Sequence, residues 1–395
     1  MSWSSSVLPL VAGETRPAGA APLNQVVIAT GVVVVLSSLL GWLLVGHRTG
    51  RTQVFQRAMD RLERVAPLRG VAGWASLPLM LAMVSLITAL LGMYWDIALH
   101  IGVGRDEGPL ANPAHYPILL GLFGVSAAGA IACTLPRPEA AGDAALQVSR
   151  RWRMPVGGVL LTGAGAYALL GFPLDDVWHR LFGQDVTLWG PTHLMLIGGA
   201  GLSLVAMTVL LEEGTVRPVA HDRAVRGRRY LTRVGVTGGM LIGLSVFQAE
   251  WDFGVPQFRL VLQPLLIAVA AGLTLVTARL WLGRGGALAA VGFYMLVRGG
   301  VSIVVGPWVL GELWAAVPLY VVEALCVEAA ALLMARRPLR IGVVSGLLIG
   351  TVGFAGEYAW TQLVFPLPWT SDILVEACCS RWSAASPAAS SAGCS

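Results

Sequence analysis

The sequence predicts an all-α membrane protein, a bundle of about ten transmembrane helices in which one two-span unit occurs twice. Of its 395 residues, 56% are hydrophobic and only 12% are charged, whereas soluble domains are about 45–50% apolar and about 25% charged. The apolar residues form continuous runs of roughly 20, the length that an α-helix needs to cross a bilayer. Continuous rather than alternating runs favour helices over strands.

The predicted spans follow one another between two tails. Residues 1–24 form an N-terminal tail without a basic segment before the first apolar run, so we expect the first span to be a retained helix rather than a signal peptide. Residues 364–395 form a C-terminal tail that ends in an Ala/Ser-rich stretch and is predicted to be disordered. The predicted spans of the bundle, residues 25–363, are 25–46, 72–100, 115–135, 155–178, 190–211, 234–250, 259–281, 287–309, 313–335 and 341–363.

Arginine-rich connections alternate with neutral or acidic ones along the whole bundle. Residues 47–70 carry six arginines against two acids, and residues 212–233 carry six against three. The positive-inside rule places such loops in the cytoplasm. Both termini are then predicted to be extracytoplasmic, as are four histidines at helix ends. We expect a multi-pass protein of the cell (inner or plasma) membrane.

The net charge of +5 does not indicate a nucleic-acid-binding protein. The excess arginines lie in short loops, and no basic patch with interleaved aromatic residues is present. The expected partner is the lipid bilayer, and a further membrane or periplasmic protein partner is left open.

Two stretches share one pattern of polar residues, "WDIALHIGVGRDEGPLANPAH" (95–115) and "DDVWHRLFGQDVTLWGPTH" (175–193). Each has an aspartate, a histidine four residues later, and a Pro-x-His at its end. This predicts a tandem repeat with units of about 72–135 and 155–211. The segment "EWDFGVPQF" (250–258) reads as a third, degenerate copy without a following histidine. The matched residues are Asp96 with Asp175, His100 with His179, Gly104 with Gly183, Asp106 with Asp185, Pro113 with Pro191, and His115 with His193.

The spacing of these residues predicts metal ligands. Residues four apart share a helix face, and the second histidine begins the neighbouring helix, so each repeat offers one carboxylate and two imidazoles. Such ligands suit copper(II) or zinc among other metals. Asp106 and Asp185 are predicted to orient the histidine rings. One dinuclear site, two mononuclear sites, non-metal proton handling and purely structural Asp–His pairs remain open.

The same pattern resembles a known family. Asp-x3-His followed by a histidine about 13–15 residues later is similar to the copper-ligand pattern in the C subunit of copper membrane monooxygenases. The matching residues are Asp96, His100 and His115, and again Asp175, His179 and His193. The resemblance covers about 40 residues and implies a copper-type triad at a membrane surface. The sequence pattern of residues 178–193, WHxxFGxD followed by PTH, also resembles that of multi-pass bacterial membrane proteins.

A second set of charges lies inside the predicted spans, where ionisable residues are functional candidates. Counting inward from the turn near 310–312 places Arg298 and Glu323 at similar depth, which predicts an ion pair. Glu328 and Glu357 are then expected to be unpaired.

Two other functions are compatible with the sequence. A transferase with a lipid-linked donor would use the outer aspartates and one of Arg105, Arg180 or Arg259 for phosphate. A proton-coupled transporter would use Arg298, Glu323, Glu328 and Glu357 as its coupling path.

Overall fold

Long apolar helices form almost all of the structure, a computed structural model that describes residues 23–62, 70–102, 104, 110–142, 144–182, 187–215, 223–310, 315–334 and 337–373. The predicted all-α class is confirmed. Within the described ranges, nine helices are long and apolar enough to cross a membrane. They are Asn24–Arg48, Gly73–Gly102, His115–Thr134, Val156–Phe182, Pro191–Glu213, Arg229–Asp252, Leu262–Leu282, Gly286–Pro307 and Pro338–Val364.

The first half of the bundle contains six helices and one small hairpin. The helices are α1 (Leu23–Arg48), α2 (Val54–Leu62), α3 (Gly73–Gly102), α4 (His115–Thr134), α5 (Val156–Phe182) and α6 (Pro191–Glu213). Strands β1 (Leu146–Ser149) and β2 (Trp152–Met154) pair antiparallel in the loop before α5. The short helix α2 is amphipathic and buries Phe55 and Met59 beneath the bundle.

The second half contains the remaining helices, several of them interrupted. They are α7 (Arg223–Ser245), α8 (Ala249–Asp252), α9 (Leu262–Leu282), α10 (Gly286–Tyr294), α11 (Gly300–Ile303), α12 (Val321–Leu333), α13 (Pro338–Leu348) and α14 (Phe354–Val364). A 3-10 turn, Val246–Gln248, joins α7 to α8. Wider π-helical turns, Met295–Gly299, Val304–Leu310 and Ile349–Gly353, join α10 to α11, extend α11, and join α13 to α14.

Helices α3 to α6 pack in sequence as antiparallel neighbours, and α6 packs on α7. Small residues allow the close approach, as is common in membrane bundles. At Gly129 of α4, a Cβ would lie only 2.4 Å from the backbone nitrogen of Thr162 in α5. Because consecutive helices are neighbours, the loops α3–α4 and α5–α6 lie at the same end of the bundle.

The predicted span 313–335 differs from a continuous helix. Residues 315–320 have no regular secondary structure, and only Val321–Leu333 is helical. Pro318 lacks a backbone donor, and Tyr320, directly before the helix, has a positive φ of 55°.

Side chains of other helices bind three backbone groups of this non-helical segment, and such partners are what non-helical backbone within a membrane requires. Ser302 Oγ donates to the Ala315 carbonyl at 2.5 Å, and Trp360 Nε1 donates to the Val317 carbonyl at 2.9 Å. Glu357 Oε1 accepts the Tyr320 N–H at 2.6 Å. Glu357 therefore has a structural role in holding the broken helix.

Part of the predicted C-terminal tail is packed rather than disordered. Trp369 and Ile373 are buried, and Trp369 Nε1 donates to Gln263 Oε1 at 2.7 Å. The prediction was wrong for residues 365–373 because their apolar side chains fold back onto α9 and α14. Residues 1–22 and 374–395 lie outside the described residues.

Candidate metal centre

One aspartate and two histidines meet where α5 ends and α6 begins. We call Asp175, His179 and His193 the second cluster. Asp175 Oδ1 lies 3.7 Å from His179 Nε2 and 3.4 Å from His193 Nε2. One ligand atom from each residue lies within 4.8 Å of the other two. Two ligands that each bind one ion at about 2.1 Å lie at most about 4.2 Å apart, so the two distances from the aspartate match a shared metal ion.

The equivalent residues of α3 and α4 also approach one another, but among the described residues only the second cluster brings one ligand atom from each of three residues within 4.8 Å of the others. We call Asp96, His100 and His115 the first cluster. Asp96 Oδ1 lies 3.0 Å from His115 Nε2 and 4.0 Å from His100 Nε2. In both clusters a single carboxylate oxygen thus faces the Nε2 atoms of two histidines, one from its own helix and one from the next.

Local sequence explains this geometry. The i, i+4 spacing puts each aspartate beside its first histidine on one helix face. Pro191 then starts α6 directly after Gly190, at a helix position where its missing N–H costs nothing. His193 follows in the first helical turn and so points back toward α5.

A neighbouring polar side chain binds each aspartate. Thr192 Oγ1 donates to Asp175 Oδ1 at 2.5 Å, and Asn112 Nδ2 donates to Asp96 Oδ1 at 2.5 Å. Asp175 is only 6% exposed, so the Thr192 hydroxyl supplies a hydrogen bond that water would supply to an exposed carboxylate. The sequence interpretation missed both residues, although each lies within two positions of the proline in the quoted motif.

The ring of His193 has a defined proton position. His193 Nδ1 lies 2.7 Å from the Thr187 carbonyl oxygen. Because a carbonyl oxygen can only accept, Nδ1 must carry the proton. In the neutral ring, Nε2 then presents a lone pair to the carboxylate oxygen of Asp175. Two acceptors in this position need a cation between them, either a metal ion or a second ring proton.

Glu250 of α8 fixes the loop that holds His193. Its Oε1 accepts the Thr187 hydroxyl at 2.9 Å and the Leu188 N–H at 2.6 Å, and its Oε2 accepts the Gln257 N–H at 3.0 Å. Glu250 thus connects the α8 turn to the carbonyl that orients the histidine. It precedes the Trp-Asp pair of the degenerate copy, and only that position could have drawn attention to it.

Both clusters line one cavity of about 290 Å³. Their six residues lie at its polar end, together with Asp176, Thr187, Glu250 and Gln257. Asp176 also pairs with exposed Arg180 at 2.5 Å. The predicted ring-orienting residues Asp106 and Asp185 lie outside the described residues.

The intramembrane charges are paired differently from the prediction. Arg298, fully buried, pairs with Asp252 of α8 and donates hydrogen bonds to the hydroxyl oxygens of Tyr94, at 2.5 Å, and Ser245. The predicted Arg298–Glu323 pair is wrong. The prediction assumed a continuous helix over 313–335, but residues 315–320 are not helical, so Glu323 does not lie at the depth in the membrane that was counted for it. Asp252, which the sequence pattern predicts to be the aspartate of a degenerate third copy, therefore faces an arginine, whereas Asp96 and Asp175 face histidines.

The two remaining glutamates also differ in their partners. Glu328 was expected to be unpaired, but its Oε2 lies 2.8 Å from Arg279 Nε and its Oε1 accepts the Ala287 N–H at 3.1 Å. Glu323 is buried near Gly353 in the π-helical turn before Glu357. None of Arg298, Glu323, Glu328 and Glu357 is among the described residues that line the cavity.

Comparison with protein-family models, with curated proteins and with solved structures gives no match to this chain. The site is therefore interpreted from its own geometry.

Proposed function

We propose that this integral membrane protein binds copper or zinc through its Asp/His clusters and acts in metal handling or in membrane redox chemistry. The observation that carries the proposal is the second cluster, in which a buried carboxylate oxygen and two imidazole nitrogens lie within 4.8 Å of one another. A carboxylate with two histidines is the donor set of several three-ligand sites that leave further positions open.

The ligand chemistry favours copper(II) or zinc. Imidazole binds both metals well, whereas copper(I) prefers thiolate and thioether sulfur. No cysteine is among the described residues that line the cavity, and its two thioethers, Met83 and Met93, are not members of the clusters. The Thr187 contact to His193 and the Thr192 contact to Asp175 supply the outer hydrogen bonds that metal ligands generally have.

The orientation is part of the proposal. The arginine-rich loops argue that the opposite end of the bundle faces the cytoplasm, which puts both clusters on the extracytoplasmic side. A metal would then be exchanged with the compartment outside the membrane or with a partner protein there.

The cavity's charge disfavours the transferase alternative. Four carboxylates line its polar end, and no lysine or arginine does so among the described residues. A lipid-linked phosphate donor would need a cation there. The transporter alternative loses two of its groups to structural roles, since Glu328 pairs with Arg279 and Glu357 holds the Tyr320 N–H.

Elemental analysis of the detergent-purified protein tests the proposal. The wild type is compared with the double variant His179→Ala/His193→Ala, after loading with copper or zinc and removal of the excess. We expect near-stoichiometric metal in the wild type and a clear loss in the double variant. His47→Ala is the matched control, because its ring lies edge-on to Phe55, away from both clusters.

Absence of metal from the loaded wild type would overturn the proposal. Equal metal in the wild type and the double variant would place the ion elsewhere and overturn it as well. In either case the clusters would act as protonated Asp–His contacts that join neighbouring helices.

A further inference from the structure

The cavity continues far beyond the two clusters into the apolar interior. Along α3 it is lined from Asp96 to Met83, and along α6 from His193 to Leu204. At 1.5 Å per residue these stretches measure about 20 Å and about 16 Å. The cavity therefore reaches over about half of the roughly 30 Å hydrocarbon core.

Below the clusters the described lining is entirely apolar. It comes from α3, α4, α6, α7 and α10, and includes Leu86, Leu122, Ile197, Ile242 and Phe293. A narrow apolar cavity open to polar groups at one end matches an amphiphile with a single long chain.

Glycines on α6 and α7 shape this part of the cavity in two ways: Gly201 leaves open space, whereas Gly239 and Gly243 let Leu204 approach, since a Cβ there would lie 2.9 Å and 3.1 Å from its side chain. Gly201, Gly239 and Gly243 all line the cavity. A Cβ at Gly201 would meet no atom within 4 Å, so nothing in the described structure fills that space. A larger side chain at Gly201 would therefore extend into the cavity.

The polar end selects the headgroup by charge. Asp96, Asp175, Asp176 and Glu250 make it acidic, and no described lysine or arginine lines it. When no metal ion is bound, an anionic phosphate or carboxylate head would be repelled there. A hydroxyl head can instead donate a hydrogen bond to a carboxylate or accept one from an imidazole N–H, and a carbonyl oxygen can accept one from an imidazole N–H. Either oxygen can also bind a metal ion held by the clusters.

We propose that the cavity binds a neutral membrane amphiphile with a hydroxyl or carbonyl head and one long hydrocarbon chain. The head lies at the two clusters and the chain lies between α3, α4, α6, α7 and α10. Long-chain alcohols and isoprenoid quinols share this chemistry. The inference rests on the proposed function only in making the clusters the binding site of the head.

The test is photolabelling with a diazirine-bearing hexadecanol in nanodiscs of zwitterionic lipid. Gly201→Leu places a side chain in the cavity. Gly198→Leu is the matched control, since it lies on the same helix, its Cβ would also meet nothing within 4 Å, and it does not line the cavity. We expect labelled peptides from α3, α6 and α7, and at least about tenfold weaker labelling of Gly201→Leu, equivalent to two methylenes losing their contacts.

Competitors identify the head. Unlabelled hexadecanol or ubiquinol-2 should suppress labelling, and whichever is stronger names the source. Palmitate has the same chain as hexadecanol but an anionic head, so it should compete poorly on chelator-treated, metal-free protein. Equal labelling of the two glycine variants, equal competition by palmitate on the metal-free protein, or no competition by either neutral compound would overturn the inference.

Metal content is measured on the same samples, with and without chelator. Metal binding with unspecific labelling would overturn this inference and leave the proposed function standing. Specific labelling without any metal would do the reverse.

Discussion

Thr192 and Asn112 hold their aspartates in the same way, although one follows the proline of its motif and the other precedes it. Each donates to the aspartate Oδ1 atom that faces both histidines. A hydrogen bond to this oxygen fixes the carboxylate rotamer and leaves the remaining lone pairs for a cation. The two motifs thus share a hydrogen-bond donor to the aspartate, although the donor is threonine in one and asparagine in the other and lies at a different position relative to the proline.

We expect Thr192→Val to weaken metal binding by about 10- to 100-fold, the usual effect of removing a hydrogen bond to a ligand. Valine keeps the shape of threonine but removes the hydroxyl that binds Asp175. Chelator competition on purified protein measures the affinity. Thr208→Val, in the same helix, removes a hydroxyl that binds only the Leu204 carbonyl and should leave the affinity unchanged. Equal affinities for the wild type and Thr192→Val would show that this hydroxyl does not position the ligand.

Residue-level patterns were sufficient to find the clusters but not their supports. The i, i+4 rule and the helix-starting proline place Asp175, His179 and His193 from local geometry alone. Glu250 reaches the same site from a distant part of the sequence, through the packing of α8 on the loop before α6. No local spacing carries that information.

At the scale of elements, Glu250 and Glu213 do similar work at opposite ends of the bundle. Glu213 accepts the N–H groups of Val156 and Gly157, the first residues of α5, at 2.9 Å each. Glu250 accepts the Leu188 N–H and the Thr187 hydroxyl in the loop that leads into α6. Each carboxylate thus joins a helix to another part of the chain.

The variants Glu250→Gln and Glu213→Gln separate stability from binding. Each variant replaces a carboxylate that accepts two N–H groups with a neutral amide that has only one acceptor oxygen. Both variants should therefore lower the melting temperature in detergent. Only Glu250→Gln should also reduce metal affinity, because Glu250 holds the segment whose carbonyl orients His193. Unfolding curves and chelator titrations on the same preparations provide the two readings. A loss of affinity in both variants would assign the effect to general loosening of the bundle.

The predicted spans succeeded wherever an apolar run forms an unbroken helix, and failed at residues 315–320. The sequence "AAVPLY" there is as apolar as its neighbours, and Pro318 alone hints at a break. What permits the break is the set of partners on other helices, Ser302, Trp360 and Glu357. The wrong prediction of Glu323 as the partner of Arg298 has the same cause. It counted depth in the membrane along ideal helices and so ignored the non-helical segment 315–320.

The buried Arg298–Asp252 pair leads to a stability prediction. Asp252→Asn leaves the guanidinium buried without its counter-charge, which should cost about 3–5 kcal/mol and lower the melting temperature strongly. The double variant Arg298→Met/Asp252→Asn removes the unpaired charge as well, so it should recover much of that loss. Thermal unfolding of the three proteins in one detergent measures this. A single variant as stable as the wild type would show that the pair contributes no net stabilisation.

At the scale of the whole molecule, both clusters line the same cavity, so the orientation of the protein in the membrane determines which compartment can reach both of them. If the arginine-rich loops face the cytoplasm, as we predict, the polar end of the cavity opens on the other side. Single cysteines in a background without the five native ones test this with a membrane-impermeant maleimide. Gln257→Cys lies at the polar end, and Thr49→Cys lies in the turn after α1, among the arginines.

Both positions are exposed in the structure, so a difference in labelling reports their side of the membrane rather than their burial. We expect Gln257→Cys to react in intact cells and Thr49→Cys to react only after permeabilisation. The reverse pattern would put both clusters in contact with the cytoplasm, where reduced glutathione and cytosolic metal carriers would supply a different metal and oxidation state. Reaction of both cysteines in intact cells would contradict the predicted alternation of loops. In that alternation, residues 49 and 257 lie on opposite sides of the membrane, because an odd number of spans separates them.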